Sequence, residues 1–378
     1  MKRIAVLGCG LVGAAIARDL SREADFEVLV ADANAEALGR LKTEAGVRIR
    51  EADLSSPSEI ATVAGQADTV VGALPGRLGL AMLEAVISAG KPIADISFSP
   101  EDPLALDALA REKGVTAVVD CGVSPGLSNF AVGRAAAALA SIDDVRILVG
   151  GLPMDRSRPF GYAILFSATD VIEEYTRPAR VVEEGRVVIR PALSGVEAVE
   201  VPGIGTLEAF LTDGLRTLLA TVPARSMVEK TLRYPGHADA MRGLRESGFF
   251  ESRPIEADGR SVSPRSVTEK LLSVAWKLRE REEEFTYLRV SVAGRDAGGA
   301  AKTCAFELLD RPGPGGATSM ARTTGFPCSV AAAMLARGQY RDPGIRPLEL
   351  LAADPGASLR FLEGLRARGL RFEEVRED

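Results

Sequence analysis

The stretch Ile4–Leu20, "IAVLGCGLVGAAIARDL", governs the reading of everything after it. Behind Lys2 and Arg3 it has the basic start and apolar run of a secretory signal. It also has the make-up of a buried strand, a glycine turn and a helix. Arg18 and Asp19 break the apolar run and no cleavage-like boundary follows, which favours the second reading. Arg3–Leu7 is almost wholly apolar, as a strand covered on both faces requires. Gly8, Gly10 and Gly13 complete G-x-G-x-x-G. The first permits a tight turn, the second lets the main chain approach a pyrophosphate, and the third lets helix and strand pack closely. Leu11, Val12 and Gly13 open a proline-free helix that would turn free N–H groups and a positive dipole end toward the phosphates.

A lone glycine fingerprint is weak evidence. Here a second apolar strand, Glu27–Ala31, ends in Asp32, at the spacing of a ribose-binding carboxylate. That acid would accept hydrogen bonds from a ribose diol and repel a 2′-phosphate, so the expected cofactor is NAD rather than NADP. The alternative, that Asp32 only caps the helix from Asn34, stays open.

The 378 residues suffice for two or three domains. Hydrophobic content of 46% and charged content of 26% are ordinary for a globular protein, and no stretch is long and apolar enough to span a membrane. A net charge of −6 argues against nucleic-acid binding and suits a cationic small molecule without demonstrating one. Cys9, Cys121, Cys304 and Cys328 stand apart, with no C-x-x-C, no histidine cluster and no metal-ligand spacing. A cytoplasmic location, and no metal, are therefore expected.

The first third alternates strands (Val47–Arg50, Thr69–Ala73, Pro92–Ala94, Val115–Asp120) with helices (Gly79–Ser88, Pro103–Lys113). This is the pattern of a doubly wound parallel sheet, with ligands at the strands' carboxyl ends. Two further loops fall at such ends. "GALPG" brings Ala73, Leu74 and Pro75; "DCGVSPG" brings Cys121, Gly122 and Pro125. Both are read as cofactor loops, against the plainer reading of turn chemistry. Pro125 is placed in the first turn of a helix running to Leu139. Hairpin signals follow at Glu184-Gly185 and Pro202-Gly203, then two alternating runs and a helix over Pro264–Glu282. These predict a largely antiparallel α+β domain. The chain end is expected to return to the first unit, giving domains of 1–123 with 322–378, and 124–321.

"GALPG", "DISF", "DCGVSPGLSN", "VGGLP", "EEYTRPARVVEEG", "LEAFLTDGLRTL" and "TLRYPGH" together resemble the saccharopine dehydrogenase-like family, and within it the lysine ε-dehydrogenases. The resemblance implies a Rossmann domain carrying an inserted domain that forms a homodimer. It implies NAD-dependent oxidation of the ε-amine of lysine to ammonia and allysine semialdehyde, which cyclises to piperideine-6-carboxylate. The family also contains reductases of saccharopine and related imine-linked amino acids, so the substrate stays open between them, and a nucleotide-binding regulator without turnover is the third reading.

The residues themselves nominate a site. His237 is the only histidine. It follows a Pro-Gly turn and would move a proton or orient a carboxylate, although a single imidazole is more often a packed residue. Arg233 would fork an α-carboxylate, with a surface ion pair as the alternative. Amine oxidation needs a neutral nitrogen, whereas a lysine ammonium has a pKa of about 10.4. Asp95, with Ser97 beside it in "DISF", is a candidate to take the proton; its alternative is a helix or turn cap. Asp213 would hold the α-amine or form an Asx-turn with Gly214. Tyr162 and Thr231 complete the expected substrate site.

Overall fold

The computed structural model describes residues 1–279, 282–313 and 316–375. The chain opens as β1 (Lys2–Leu7), α1 (Leu11–Leu20), β2 (Phe26–Asp32), α2 (Ala35–Ala45), β3 (Arg48–Glu51), α3 (Pro57–Ala64), β4 (Thr69–Gly72), α4 (Gly76–Ser88), β5 (Ile93–Asp95), α5 (Asp107–Glu112) and β6 (Thr116–Val118). These six strands lie in the order β3-β2-β1-β4-β5-β6, all parallel. The order reverses between β1 and β4, so the crevice for a ligand opens at their carboxyl ends, beside Gly8 and Ala73.

The second unit begins at α6 (Leu127–Ala138). Pro125 is not in that helix: Gly126, at φ 141°, turns the chain after it, and a Cβ there would lie 1.9 Å from the Gly122 oxygen. There follow β7 (Ser141–Pro153), α7 (Ala168–Thr176), β8 (Ala179–Glu183), β9 (Arg186–Arg190), β10 (Glu197–Val201), β11 (Gly205–Leu211), the single turn α8 (Leu218–Thr221), β12 (Ser226–Arg233), α9 (His237–Glu246), β13 (Ile255–Ala257), β14 (Arg260–Val262), α10 (Pro264–Ala275), β15 (Glu284–Arg295) and β16 (Ala301–Asp310). Both hairpins form at the expected turns, β8–β9 around Glu184-Gly185 and β10–β11 around Pro202-Gly203. The helix expected to reach Glu282 ends at Ala275; residues 280–281 lie outside the described ones. The sheet runs β10-β11-β12-β7-β15-β16, with β8 also against β12, and is antiparallel except where β12 pairs with β7.

The chain then returns. In α11 (Ser319–Ala336) sixteen of eighteen residues are buried, and the helix packs on α1, β1, β4 and β5. β17 (Gly344–Ile345) extends the parallel sheet beside β6, and α12 (Leu348–Ala353) packs on α6. α13 (Pro355–Ala367) covers α11. The last strand, β18 (Glu373–Val375), departs from the expected grouping with the first unit: it pairs with β16 in the second sheet. Among the described residues no helix is long and apolar enough to cross a membrane.

Candidate active site

A cavity of about 380 Å³ lies where the two sheets meet. One side is the glycine loop. Gly8 takes φ 111°, and a Cβ there would lie 2.4 Å from the Ala73 oxygen; at Gly13 it would lie 2.3 Å from the Gly8 oxygen. At Gly10 nothing lies within 4 Å of that position. Gly8 and Gly13 are thus glycines because the protein crowds them. Gly10 is bare and faces the cavity, leaving room for a bound group. The first N–H groups of α1, from Leu11, Val12 and Gly13, have no intrahelical partner and border the same space. Asp32 stands beside them, its carboxylate accepting from the N–H of Cys9 at 2.6 Å and of Asn34 at 2.7 Å. It does not cap α2, whose N-cap is the Asn34 side chain. Ala73, Leu74, Pro75, Gly122 and Pro125 complete this side. The residues fit a nicotinamide nucleotide: a bare glycine loop and helix N-terminus for the pyrophosphate, and a carboxylate for the ribose.

The facing side comes from the second sheet. On β12, alternation puts Glu229, Thr231 and Arg233 on one face, and all three line the cavity. Arg233 is fully buried. Its guanidinium pairs with Glu174 of α7, donates to the Leu232 carbonyl at 2.9 Å and lies 4.5 Å over the Tyr162 ring. Its Nε, also buried, has no partner among the described residues. Thr231 and Thr212 share a hydroxyl–hydroxyl bond of 2.8 Å, and the Thr212 hydroxyl also lies 2.6 Å from the Glu229 carboxylate. Burial raises Glu229 to about 7 and pushes Asp170 and Glu174 of α7 above the usual carboxylate range. Among the described lining residues Arg233 is the only cation, facing these three acids.

Five expected residues do not reach the wall. His237 is buried behind it, packed edge-on to Tyr162. The Phe160 carbonyl can only accept, so the imidazole Nδ1–H donates to it at 2.8 Å; Nε2 then accepts from the Tyr175 hydroxyl at 2.9 Å. Burial lowers its pKa to about 3, with Arg233 adding to the effect, so the ring is neutral and fully bonded. Asp95 ends β5, beside Gly72 of β4: burial raises it to about 7, and its carboxylate accepts from the N–H and hydroxyl of Ser97 at 3.0 and 2.8 Å. Asp95 and Ser97 thus form a closed turn, the alternative reading of Asp95. The Asp213 carboxylate accepts from the backbone N–H and guanidinium of Arg180 rather than forming an Asx-turn with Gly214, and it does not line the cavity. Cys121 is fully buried against Cys328, while its neighbour Gly122 lines the cavity.

Sequence reasoning missed Glu229, Glu174 and Asp170. The first had a signal: in a strand residues two apart share a face, so Glu229 lies with Thr231 and Arg233, both already singled out. The other two had none: Glu174 meets Arg233 across 59 positions of sequence, and Asp170 reaches the cavity only through the placing of α7.

Residues 4–118 match the saccharopine dehydrogenase NADP binding domain, and residues 122–370 the saccharopine dehydrogenase C-terminal domain. The chain belongs to the saccharopine dehydrogenase family. A member of this family is a dehydrogenase served by a nicotinamide nucleotide, and the glycine loop described above is where the nucleotide fits. Over 99% of both chains it is 21% identical to a saccharopine dehydrogenase (NADP(+), L-glutamate-forming) of Schizosaccharomyces pombe. It is 22% identical to a carboxyaminopropylagmatine dehydrogenase of a Synechocystis species, over 99% of this chain and 98% of the other. The fold matches that of apo saccharopine dehydrogenase (L-Glu forming) from Saccharomyces cerevisiae, with a TM-score of 0.81, 18% identity and full coverage of both chains.

Proposed function

We propose that the protein oxidises the ε-amine of lysine with NAD, releasing ammonia and allysine semialdehyde. The observation that carries this reading is the polarity of the cavity's inner side, where Asp170, Glu174 and Glu229 face a single cation, Arg233. A substrate with one carboxylate and two amines suits that wall. A substrate with three carboxylates would bring buried negative charge without enough partners. The choice of NAD rests on Asp32, whose carboxylate at the end of β2 opposes a 2′-phosphate.

A bound nicotinamide ring would supply the hydride acceptor. Arg233 offers the substrate α-carboxylate its free Nε–H, and Tyr162 and Glu174 hold the guanidinium in place. The acidic wall draws the ammonium groups inward. Removing an ammonium from water lowers its pKa, which helps expose the nitrogen lone pair that expels hydride. His237 acts from behind, fixing Tyr175, which lies beside the Arg233 guanidinium.

The test is absorbance at the NADH band with purified protein, NAD and each amino acid in turn. Lysine alone should generate NADH. A second reading, reductive coupling of an aldehyde to an amine, is favoured by the same acidic wall, which suits any cationic amine. It predicts NADH consumption only when aldehyde and amino acid are supplied together, and no NADH from lysine.

A further inference from the structure

The proposed reaction requires a group that removes the proton from the substrate ammonium before hydride leaves, and the sequence nominated His237 and Asp95, neither of which reaches the cavity. Four carboxylates do: Asp32 belongs to the nucleotide side, and three face it from the second unit. Glu174 is committed to Arg233. Asp170 sits in the first turn of α7 beside the Ser167 hydroxyl, only partly buried. Glu229 is on the central strand β12, 3% exposed and without an ion pair among the described residues.

Its carboxylate is built in. The Thr212 hydroxyl lies 2.6 Å from Oε2, and the Gly214 N–H favours the charged form. Gly214 has an ordinary φ, yet a Cβ there would lie 2.5 Å from the Glu229 carboxyl carbon. A side chain at 214 would therefore displace the acid. The groups around it are Thr212, Asp213 tied to Arg180, Glu174 and Asp170 of α7, and Thr231 and Arg233 on its own face of β12. Beside it β7 contributes only Val149, Gly150 and Gly151 to the wall.

From this geometry we infer that Glu229 is the proton acceptor for the substrate amine, an assignment that rests on the amine-oxidation reading above. The ionised carboxylate takes one proton from R–CH2–NH3⁺, leaving R–CH2–NH2 and a neutral Glu229. The nitrogen lone pair then forms the C=N bond as the hydride leaves carbon for the nicotinamide nucleotide, the two-electron oxidant, and an iminium remains. Water adds to the iminium carbon, and ammonia departs as the aldehyde forms. The near-neutral affinity of Glu229 for a proton suits such a transfer.

The experiment uses the full chain with NAD and a panel of primary and secondary amino-acid amines, so that the comparison is made on whichever amine the wild type oxidises. Glu229→Gln should lower kcat about a hundredfold or more, with KM changed little and NADH affinity unchanged by fluorescence titration. The wild-type fall in kcat/KM below about pH 7 should disappear from its residual activity. Thr212→Val removes a donor to the charged carboxylate and should move that acid limb up by about one pH unit. Should Glu229→Gln fail to fold by thermal melting, Thr212→Val decides alone. A folded Glu229→Gln with wild-type kcat and acid limb, or an unmoved limb in Thr212→Val, overturns the assignment while amine oxidation stands. Nucleotide binding with no amine oxidised by the wild type overturns the amine reading, and Glu229's role with it.

Discussion

The carboxylate of Asp32 accepts a hydrogen bond of 2.6 Å from the backbone N–H of Cys9, joining the end of β2 to the glycine loop. One acid thereby shapes the loop and presents charge where a ribose would lie. Asp32→Ala should weaken NAD by about 10- to 100-fold, the value of a hydrogen bond to a charged group, and narrow the preference over NADP. Comparative kcat/KM for the two nucleotides checks this. A wild type that uses both equally well would refute the role given to Asp32.

The three fingerprint glycines should fail differently. Gly10→Val places its side chain in open cavity space, so the melting temperature should hold while NAD binding vanishes in calorimetric titration. Gly13→Val drives a Cβ onto the Gly8 carbonyl and should lower the melting temperature itself. Equal thermal effects in the two variants would contradict the packing described.

Arg233 is fully buried and paired with the partly exposed Glu174, and removing one member of a buried pair costs about 3–5 kcal/mol because the other charge is stranded. Arg233→Ala should therefore melt earlier as well as bind lysine poorly. Lysine amide on the wild-type enzyme separates the two effects, since it lacks only the carboxylate. Its kcat/KM should fall about a hundredfold. Comparable turnover of lysine and lysine amide would place the carboxylate elsewhere.

His237 bears on stability more than on turnover. Its pKa falls from 6.5 to about 3 on burial, so the folded state binds fewer protons than the unfolded chain between those values. The stability this represents is present above pH 6.5 and is lost progressively as pH falls toward 3. His237→Asn keeps a donor for the Phe160 carbonyl but cannot titrate. Its melting temperature should decline less than the wild type's between pH 7 and pH 5, and the acid limb of kcat/KM should stay in place. Loss of that limb in His237→Asn would return the proton-transfer role to the imidazole.

What was legible in the sequence was local. The Ile4–Leu20 strand, turn and helix follow from neighbours along the chain, and so do the hairpins at Glu184-Gly185 and Pro202-Gly203. Gly8 and Gly13 are required by contacts inside one βα unit or its adjoining strand. The inner wall was legible at Tyr162 and along β12, where strand alternation ties Thr231 to Arg233. It was lost wherever a side chain's partner sits far off in sequence. Asp213 looks free until β8 brings Arg180 to it. Rarity misled in one case: His237 drew notice as the only histidine, yet the fold spends both ring nitrogens on hydrogen bonds. Chemical capacity in a sequence says what a residue can do, and burial with partners decides what is left for it to do.

The return of α11 has a consequence for synthesis. Six strands of the parallel sheet have left the ribosome long before Ser319–Ala336, yet that helix covers β1, β4 and β5 and supplies Met320 and Thr324 to the cavity. A nascent chain ending near residue 310 therefore carries the whole glycine fingerprint on a sheet with part of one face, over β4 and β5, bare. Such an intermediate exposes apolar surface for the time taken to translate the last segments, a state that favours chaperone capture over ligand binding. The nucleotide pocket is a product of the finished chain, although its signature is written in the first twenty residues.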